Sequence, residues 1–278
     1  MRPIPRSFHA LLALVMFAVV AAGAAFKAEA AQCGNDAAGF QPWLADFRQE
    51  AVSEGISPHV VAAALGNVTY NTTVIRLDRT QHKTFGGTFE QFAAGRVTAG
   101  RINKGKALMR SYAGVLSKVE SRFGVQPEIL VAIWGMETDY GVVSGKMPVF
   151  RSLATLAYDC RRSDFFRNEL MSALKIVQRG DESASGMIGA WAGEIGQTQF
   201  LCSNYLKYAV DMDGNGRRDL IHSPADVLGS TANLLKQHGW SAGGSYEPGS
   251  SNFGVLSDWN KSSNYQRAIV LFAQKLKS

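Results

Sequence analysis

Val125-Gln-Pro-Glu-Ile-Leu-Val-Ala-Ile-Trp-Gly-Met-Glu-Thr-Asp-Tyr-Gly141 reads as one apolar helix that ends in a carboxylate, and the rest of the chain is interpreted around that carboxylate, Glu137. Pro127 suits the first helical turn, where its missing N–H costs nothing, and Glu128 complements the positive helix start. Gly141 can take the left-handed conformation that stops a helix. Leu130, Ile133, Trp134 and Glu137 fall at i, i+3, i+4 and i+7, so the acid sits on the stripe that faces the core. Desolvation beside Trp134 and the negative end of the helix dipole both disfavour the ionised form, which is how a general acid is made. A glutamate near a helix end more often cups a buried amide or pairs with an arginine. The neighbouring sequence decides between these readings.

Working outward, helical spacing with marked ends predicts helices over 40–54, stopped by Gly55, and over 57–65, opened by Ser57-Pro58 and ended by Gly66; together they form a hairpin. Residues 69–92 are polar and carry Thr72, Thr73, Gly86 and Gly87, and are expected to be a long irregular connection. Residues 99–122 predict a single long amphipathic helix stopped by Gly124. Further helices are expected over 150–158, over 163–179 with Ser163 as cap and Gly180 as stop, from Ser223-Pro224 to 237, and over 264–276. Residues 243–254, rich in Gly and Ser, read as a linker. Strand-like alternation is nearly absent, so the fold is mainly α.

Arg2 and Arg6 before the apolar run 10–26, with Ala28-Glu29-Ala30 after it, read as a secretory signal over residues 1–30. The run is short for a membrane span, and Ala30 and Gln32 suit lipid anchoring at Cys33 poorly. An exported, periplasmic protein is therefore expected, with one sizeable core in its remaining 248 residues and no later membrane span. The formal net charge of +6 falls to +4 once Arg2, Arg6, Lys27 and Glu29 are removed. That modest excess suits an acidic polymer and does not require nucleic acid. Cys33, Cys160 and Cys202 allow at most one internal disulfide, and the sequence does not choose the pair. Neither Cys-x-x-Cys nor His-x-x-x-His occurs, so zinc is not expected.

Three stretches support the general-acid reading: Trp134-Gly-Met-Glu-Thr-Asp-Tyr-Gly141, Tyr158-Asp-Cys-Arg-Arg-Ser163 and Gly189-Ala-Trp-Ala-Gly-Glu-Ile-Gly-Gln-Thr-Gln-Phe200. With residues 204–240 and Asp258-Trp-Asn260 they occur in the order found in the lytic murein transglycosylases of the B type, which the chain resembles from about residue 40 onward. The resemblance implies a lysozyme-like helical domain that cleaves the β-1,4 bond between N-acetylmuramic acid and N-acetylglucosamine of peptidoglycan and leaves a 1,6-anhydro ring. It makes Glu137 the single acid and base, with the sugar's own C6 hydroxyl as nucleophile. Ordinary glycosidases need two carboxylates, and an internal nucleophile removes that need.

The same resemblance assigns saccharide contacts to Gln197, Gln199, Trp259 and Asn260, and to Arg161 and Arg162 a role in meeting muramic carboxylates. As a bare pair the two arginines would be a solvated surface feature, and Trp259 a core residue. Gly189, Gly193 and Gly196 either let backbone approach sugar or allow tight packing. Asp211, Asp213 and Asn215, with Gly216, open like a calcium loop whose second half fails, because His222 stands where a bidentate Glu belongs. The resemblance implies closure by a later Asp, here Asp226, around calcium or sodium; Asp226 could instead serve the start of the following helix. No cofactor is required for the chemistry. The expected partner is the peptidoglycan strand, other cell-wall enzymes are candidate partners, and a monomer is expected. The domains follow as 31–124 for an N-terminal helical region, 125–245 for the catalytic domain with its cation-loop segment at 211–226, and 246–278 for a segment packing back on the core. Glu194, Ala190 and Leu234 depart from the family pattern. Glu194 matters most, since a second carboxylate would serve a water-using muramidase or chitinase-like glycosidase. A non-catalytic glycan-binding scaffold is the third reading.

Overall fold

A computed structural model describes residues 32–80 and 87–278, and the expected signal over 1–30 lies outside these residues. The described residues are mainly helical, with α1 Phe40–Ser53, α2 Pro58–Leu65, α3 Thr72–Thr80, α4 Phe89–Ala94, α5 Ala99–Ser111, α6 Ala113–Phe123, α7 Pro127–Thr138, α8 Val149–Tyr158, α9 Ser163–Arg179, α10 Cys202–Tyr208, α11 Pro224–Gln237, α12 Ser251–Trp259 and α13 Ser263–Lys277. Two short strands, β1 Met147–Pro148 and β2 Ile188–Gly189, pair antiparallel with Met147 opposite Gly189. No described helix is long and apolar enough to cross a membrane.

α7 is the central element. Every residue from Glu128 to Met136 is buried, so the helix is enclosed all round rather than along one stripe. α5, α6, α11 and α13 pack against it. Pro127 opens the helix as expected, but the left-handed stop falls on Asp139 (φ 52°), before Gly141. Tyr140 (φ 61°) is left-handed as well, a conformation costing roughly 1–2 kcal/mol for each non-glycine residue. Side-chain bonds hold the turn: Thr138 Oγ1 donates to the Gln197 carbonyl at 2.5 Å, and Tyr140 Oη donates to the Arg101 carbonyl at 2.7 Å.

Four expectations need correction. Residues 69–92 are not an irregular connection throughout, because α3 and α4 lie there. α4 is opened by a reciprocal capping box between Thr88 and Gln91. The expected helix over 99–122 is two helices, broken at Tyr112, whose ring meets Trp134 edge-on at 5.8 Å. Ser163 does not cap α9; its Oγ donates to the Ala157 carbonyl. α12 begins within the Gly/Ser-rich stretch, capped by Ser250.

Cys33 and Cys160 form the disulfide, and Cys202 is a buried free thiol. The bond ties the chain before α1 to the α8–α9 corner, where buried Asp78 of α3 accepts from Arg79, Arg161 and Arg162. Burial works against the Asp78 charge, yet the bonds from Arg161 and Arg162 hold its carboxyl below the ordinary range.

Candidate active site

Glu137 closes the last turn of α7 and opens into a cavity of about 520 Å3. Its walls are Ala190, Trp191, Glu194, Gln199, Phe200 and Leu201 from the turn after β2, Asn204 of α10, Leu234 of α11, and Asp258, Trp259 and Asn260 at the end of α12. Trp259 Nε1 donates to Glu137 Oε1 at 2.9 Å, and Tyr265 Oη of α13 donates to the same oxygen at 2.7 Å. Oε2 takes no hydrogen bond among the described residues, which leaves it for a ligand in the cavity. Burial pushes the Glu137 carboxyl up to about 7, against the pull of the two donors and of Arg96, and the Glu194 carboxyl adds to the rise. A carboxyl fixed through one oxygen, with proton affinity near neutrality and the other oxygen facing a groove, can both give and take a proton.

The turn that makes the wall is tight for internal reasons. A Cβ on Gly189 would sit 2.1 Å from the Glu194 carbonyl oxygen, and one on Gly193 2.3 Å from Leu153. Gly196, at φ 77°, would press on the Leu220 carbonyl. At all three positions the packing of the protein on itself already requires glycine.

A model of the transglycosylase SLT domain matches residues 39–249, more than half of the chain. The chain belongs to the SLT transglycosylase family. Membrane-bound lytic murein transglycosylase B of Escherichia coli is 36% identical over 148 residues, which are 53% of this chain and 41% of that protein. The chain thus matches about two fifths of the length of that curated relative. The crystal structure of SltB3 from Pseudomonas aeruginosa in complex with NAG-anhNAM-pentapeptide is 34% identical, with a TM-score of 0.81 over 86% of this chain and 80% of that one. Escherichia coli lytic transglycosylase Slt35 in complex with calcium, 24% identical with a TM-score of 0.75 over 89% and 96%, shares the fold.

Glu137, Glu194 and Gln199 of the matched SLT domain and Trp259 and Asn260 beyond it are brought together in the cavity wall. Gln199, itself left-handed at φ 53°, donates to the Ser144 and Gly196 carbonyls, and its Oε1 takes no hydrogen bond among the described residues. Gln197 is buried behind the wall and engaged at both ends, accepting from Trp134 Nε1 at 2.9 Å and donating to the Ile221 carbonyl at 2.9 Å. It locks α7 to the wall. Arg161 and Arg162 do not line the cavity and bind Asp78, although the Arg162 charge offsets part of the rise that burial gives the Glu194 carboxyl. The sequence reading missed Tyr265, which looks like one more aromatic on the inner face of the last helix, and Trp191 and Asn204.

At the 211–226 loop, carboxylate oxygens of Asp211, Asp213 and Asp226 lie within 4.8 Å of one another. Asp226 accepts from the amides of Met212 and Asp219, and Asp211 from Gly214 and Gly216. Asn215 Oδ1 accepts from the Arg217 amide. His222 points to Asp219 instead, with Nδ1 3.1 Å from Oδ2.

Proposed function

We propose that the chain is a peptidoglycan lytic transglycosylase in which Glu137 is the single acid and base. The observation that carries this reading is the carboxyl itself: held near 7, with Oε1 fixed by Trp259 and Tyr265 and Oε2 open to the groove. In the first step protonated Glu137 gives its proton to the glycosidic oxygen. The bond from that oxygen to C1 of muramic acid breaks, and the glucosamine-bearing fragment leaves with a free hydroxyl. In the second step ionised Glu137 takes the proton of the C6 hydroxyl as O6 bonds to C1. The 1,6-anhydro ring closes, Glu137 is protonated again, and no water is consumed. Trp191, Phe200 and Trp259 offer apolar faces for sugar rings, while Gln199, Asn204 and Asn260 offer amides for hydroxyl and acetamido groups.

Glu194 shares the cavity, which is what a water-using glycosidase would need. Its Oε2 is buried without a hydrogen-bond partner, so that oxygen is closed to a water in the cavity. We also propose export to the periplasm through residues 1–30, with 125–245 as the catalytic region; Trp259 and Tyr265 extend the working site into the segment beyond it. Asp211, Asp213 and Asp226 present the oxygen donors a hard cation such as calcium takes, and a cation there would brace the loop beneath α11 without entering the reaction.

The test is digestion of murein in water enriched in oxygen-18. Anhydro-muramic products without heavy label, lighter than the labelled hydrolytic ones by one molecule of oxygen-18 water, are expected. The variant Glu137→Gln should lose about 10²–10⁴-fold in turnover. Label at the reducing end in the wild type would overturn the reaction class.

A further inference from the structure

Asp258 lines the groove beside Trp259, and nothing in the proposed bond cleavage uses it. It stands one residue before the end of α12, where the helix dipole disfavours a negative charge. Two basic side chains face it: His238 Nδ1 lies 3.4 Å from Oδ2, and Lys261 Nζ lies 3.3 Å from Oδ1. Lys261 is 81% exposed, so its hold is weak. His238 is itself held. It is the C-cap residue of α11, and its other ring nitrogen, Nε2, lies 3.1 Å from Tyr208 Oη at the end of α10, with the two rings 5.5 Å apart. The Tyr208 carbonyl in turn accepts from Asn233 Nδ2 of α11 at 2.9 Å. A carboxylate can only accept, which suits the tautomer with its proton on Nδ1 and leaves Nε2 to accept from the Tyr208 hydroxyl. One imidazole thus joins three helices that each supply a residue of the wall, Asn204 from α10, Leu234 from α11 and Asp258 from α12.

We propose that Asp258 is a sugar-binding residue of the groove, its carboxylate accepting from hydroxyls of the glycan strand, and that His238, backed by Tyr208, is the positioning residue that aims it. This role rests on the groove being a glycan site, and not on how the bond is broken there. The Asp258 side chain keeps 38% of its surface open, so it is within reach of a ligand. A carboxylate has about four lone-pair sites, and His238 and Lys261 leave some of them for sugar. The other polar groups that face the glycan, Gln199, Asn204 and Asn260, offer neutral amide acceptors, whereas a hydrogen bond to an ionised acceptor is the stronger kind. A side chain fixed through an imidazole meets its ligand with less rotamer freedom to lose.

The experiment is calorimetric titration of a soluble tetrasaccharide of alternating N-acetylglucosamine and N-acetylmuramic acid into Glu137→Gln, which does not turn it over. The same titration is made with Asp258→Ala, His238→Ala or both added, and thermal melts are recorded for each. Loss of one hydrogen bond to a charged acceptor raises Kd about tenfold in Asp258→Ala. His238→Ala raises it about threefold with Asp258 present and not at all with Asp258 gone, since a positioning residue acts only through the group it aims. Asp258→Asn keeps a neutral acceptor and recovers part of the loss; if Asp258→Ala does not fold, a rise in Kd of about threefold in Asp258→Asn is read in its place. With Glu137 intact, Asp258→Ala raises KM while kcat stays within about twofold. An unchanged Kd in a folded Asp258 variant overturns the proposal, and losses from Asp258 and His238 that simply multiply overturn the positioning role. A fall in kcat at unchanged Kd would set Asp258 behind Trp259 and away from sugar, and overturns it as well. If Glu137→Gln does not bind the tetrasaccharide at all, the glycan reading of the groove fails; binding that is blind to Asp258 rejects the present proposal alone.

Discussion

Replacing Glu137 with Gln should stabilise the protein, and should do so only at neutral and alkaline pH. The carboxyl is ordinary at 4.5 when exposed and is pushed up to about 7 in the folded chain. A group whose folded value lies above its unfolded value holds its proton more tightly in the native state, so folding stability falls as pH rises from 4.5 and levels off above 7. Each tenfold change in proton affinity is worth 1.36 kcal/mol, so full ionisation costs about 3 kcal/mol. Glu137 keeps some exposure to the groove, and solvent screening reduces this to about 1–2 kcal/mol. Gln keeps the shape and an oxygen for Trp259 and Tyr265, without a charge to desolvate. For a domain of this size, 1–2 kcal/mol is a rise of about 3–6 °C in Tm. Thermal melts of both proteins at pH 4 and pH 8 should show near-equal values at the first and the full gap at the second. A gap of equal size at both pH values would refute the reasoning, because it would trace the gain to packing and not to the proton.

Two further outcomes follow from the same contacts. Tyr265→Phe removes one of the two donors to Oε1, so turnover should fall roughly 10-fold or more and the alkaline limb of the pH profile should move up; an unmoved or lowered limb would exclude a charge-stabilising role for Tyr265. Calcium at millimolar concentration should raise Tm by mass action, and Asp211→Ala should abolish the rise, read by melts with and without chelator.

The sequence legible at α7 was legible for a plain reason: both its ends carry local signals, and its apolar run is too long for anything else. Its enclosure on all sides was not, because the covering helices α5, α11 and α13 lie far away in the chain. Within residues 69–92, α3 is joined to the rest of the fold by Asp78, which meets arginines more than 80 positions later, while Asn71, whose side chain accepts from the Thr73 and Val74 amides at its start, is a local signal. The Thr88–Gln91 capping box is another local signal that a stricter reading would have caught. At the break between α5 and α6 the Tyr112 ring meets Trp134 of α7, a contact that no local signal marks. At the site, Glu137, Gln199, Trp259 and Asn260 could be named from residue type and order. Tyr265 could not, for its hydroxyl acquires meaning only when α13 lies across α7. Gln197 shows the converse: a good saccharide donor by type, with both its polar ends taken up by Trp134 and Ile221.

The two donors that fix Glu137 come 122 and 128 residues after it in the chain. A polypeptide delivered from its N-terminus therefore presents its acid long before it presents the groups that aim it. Until α12 and α13 have docked, the carboxyl is neither oriented nor shielded, and its proton affinity is that of any exposed glutamate. An incomplete copy that lacks α12 and α13 therefore holds the carboxyl without the two donors that fix it.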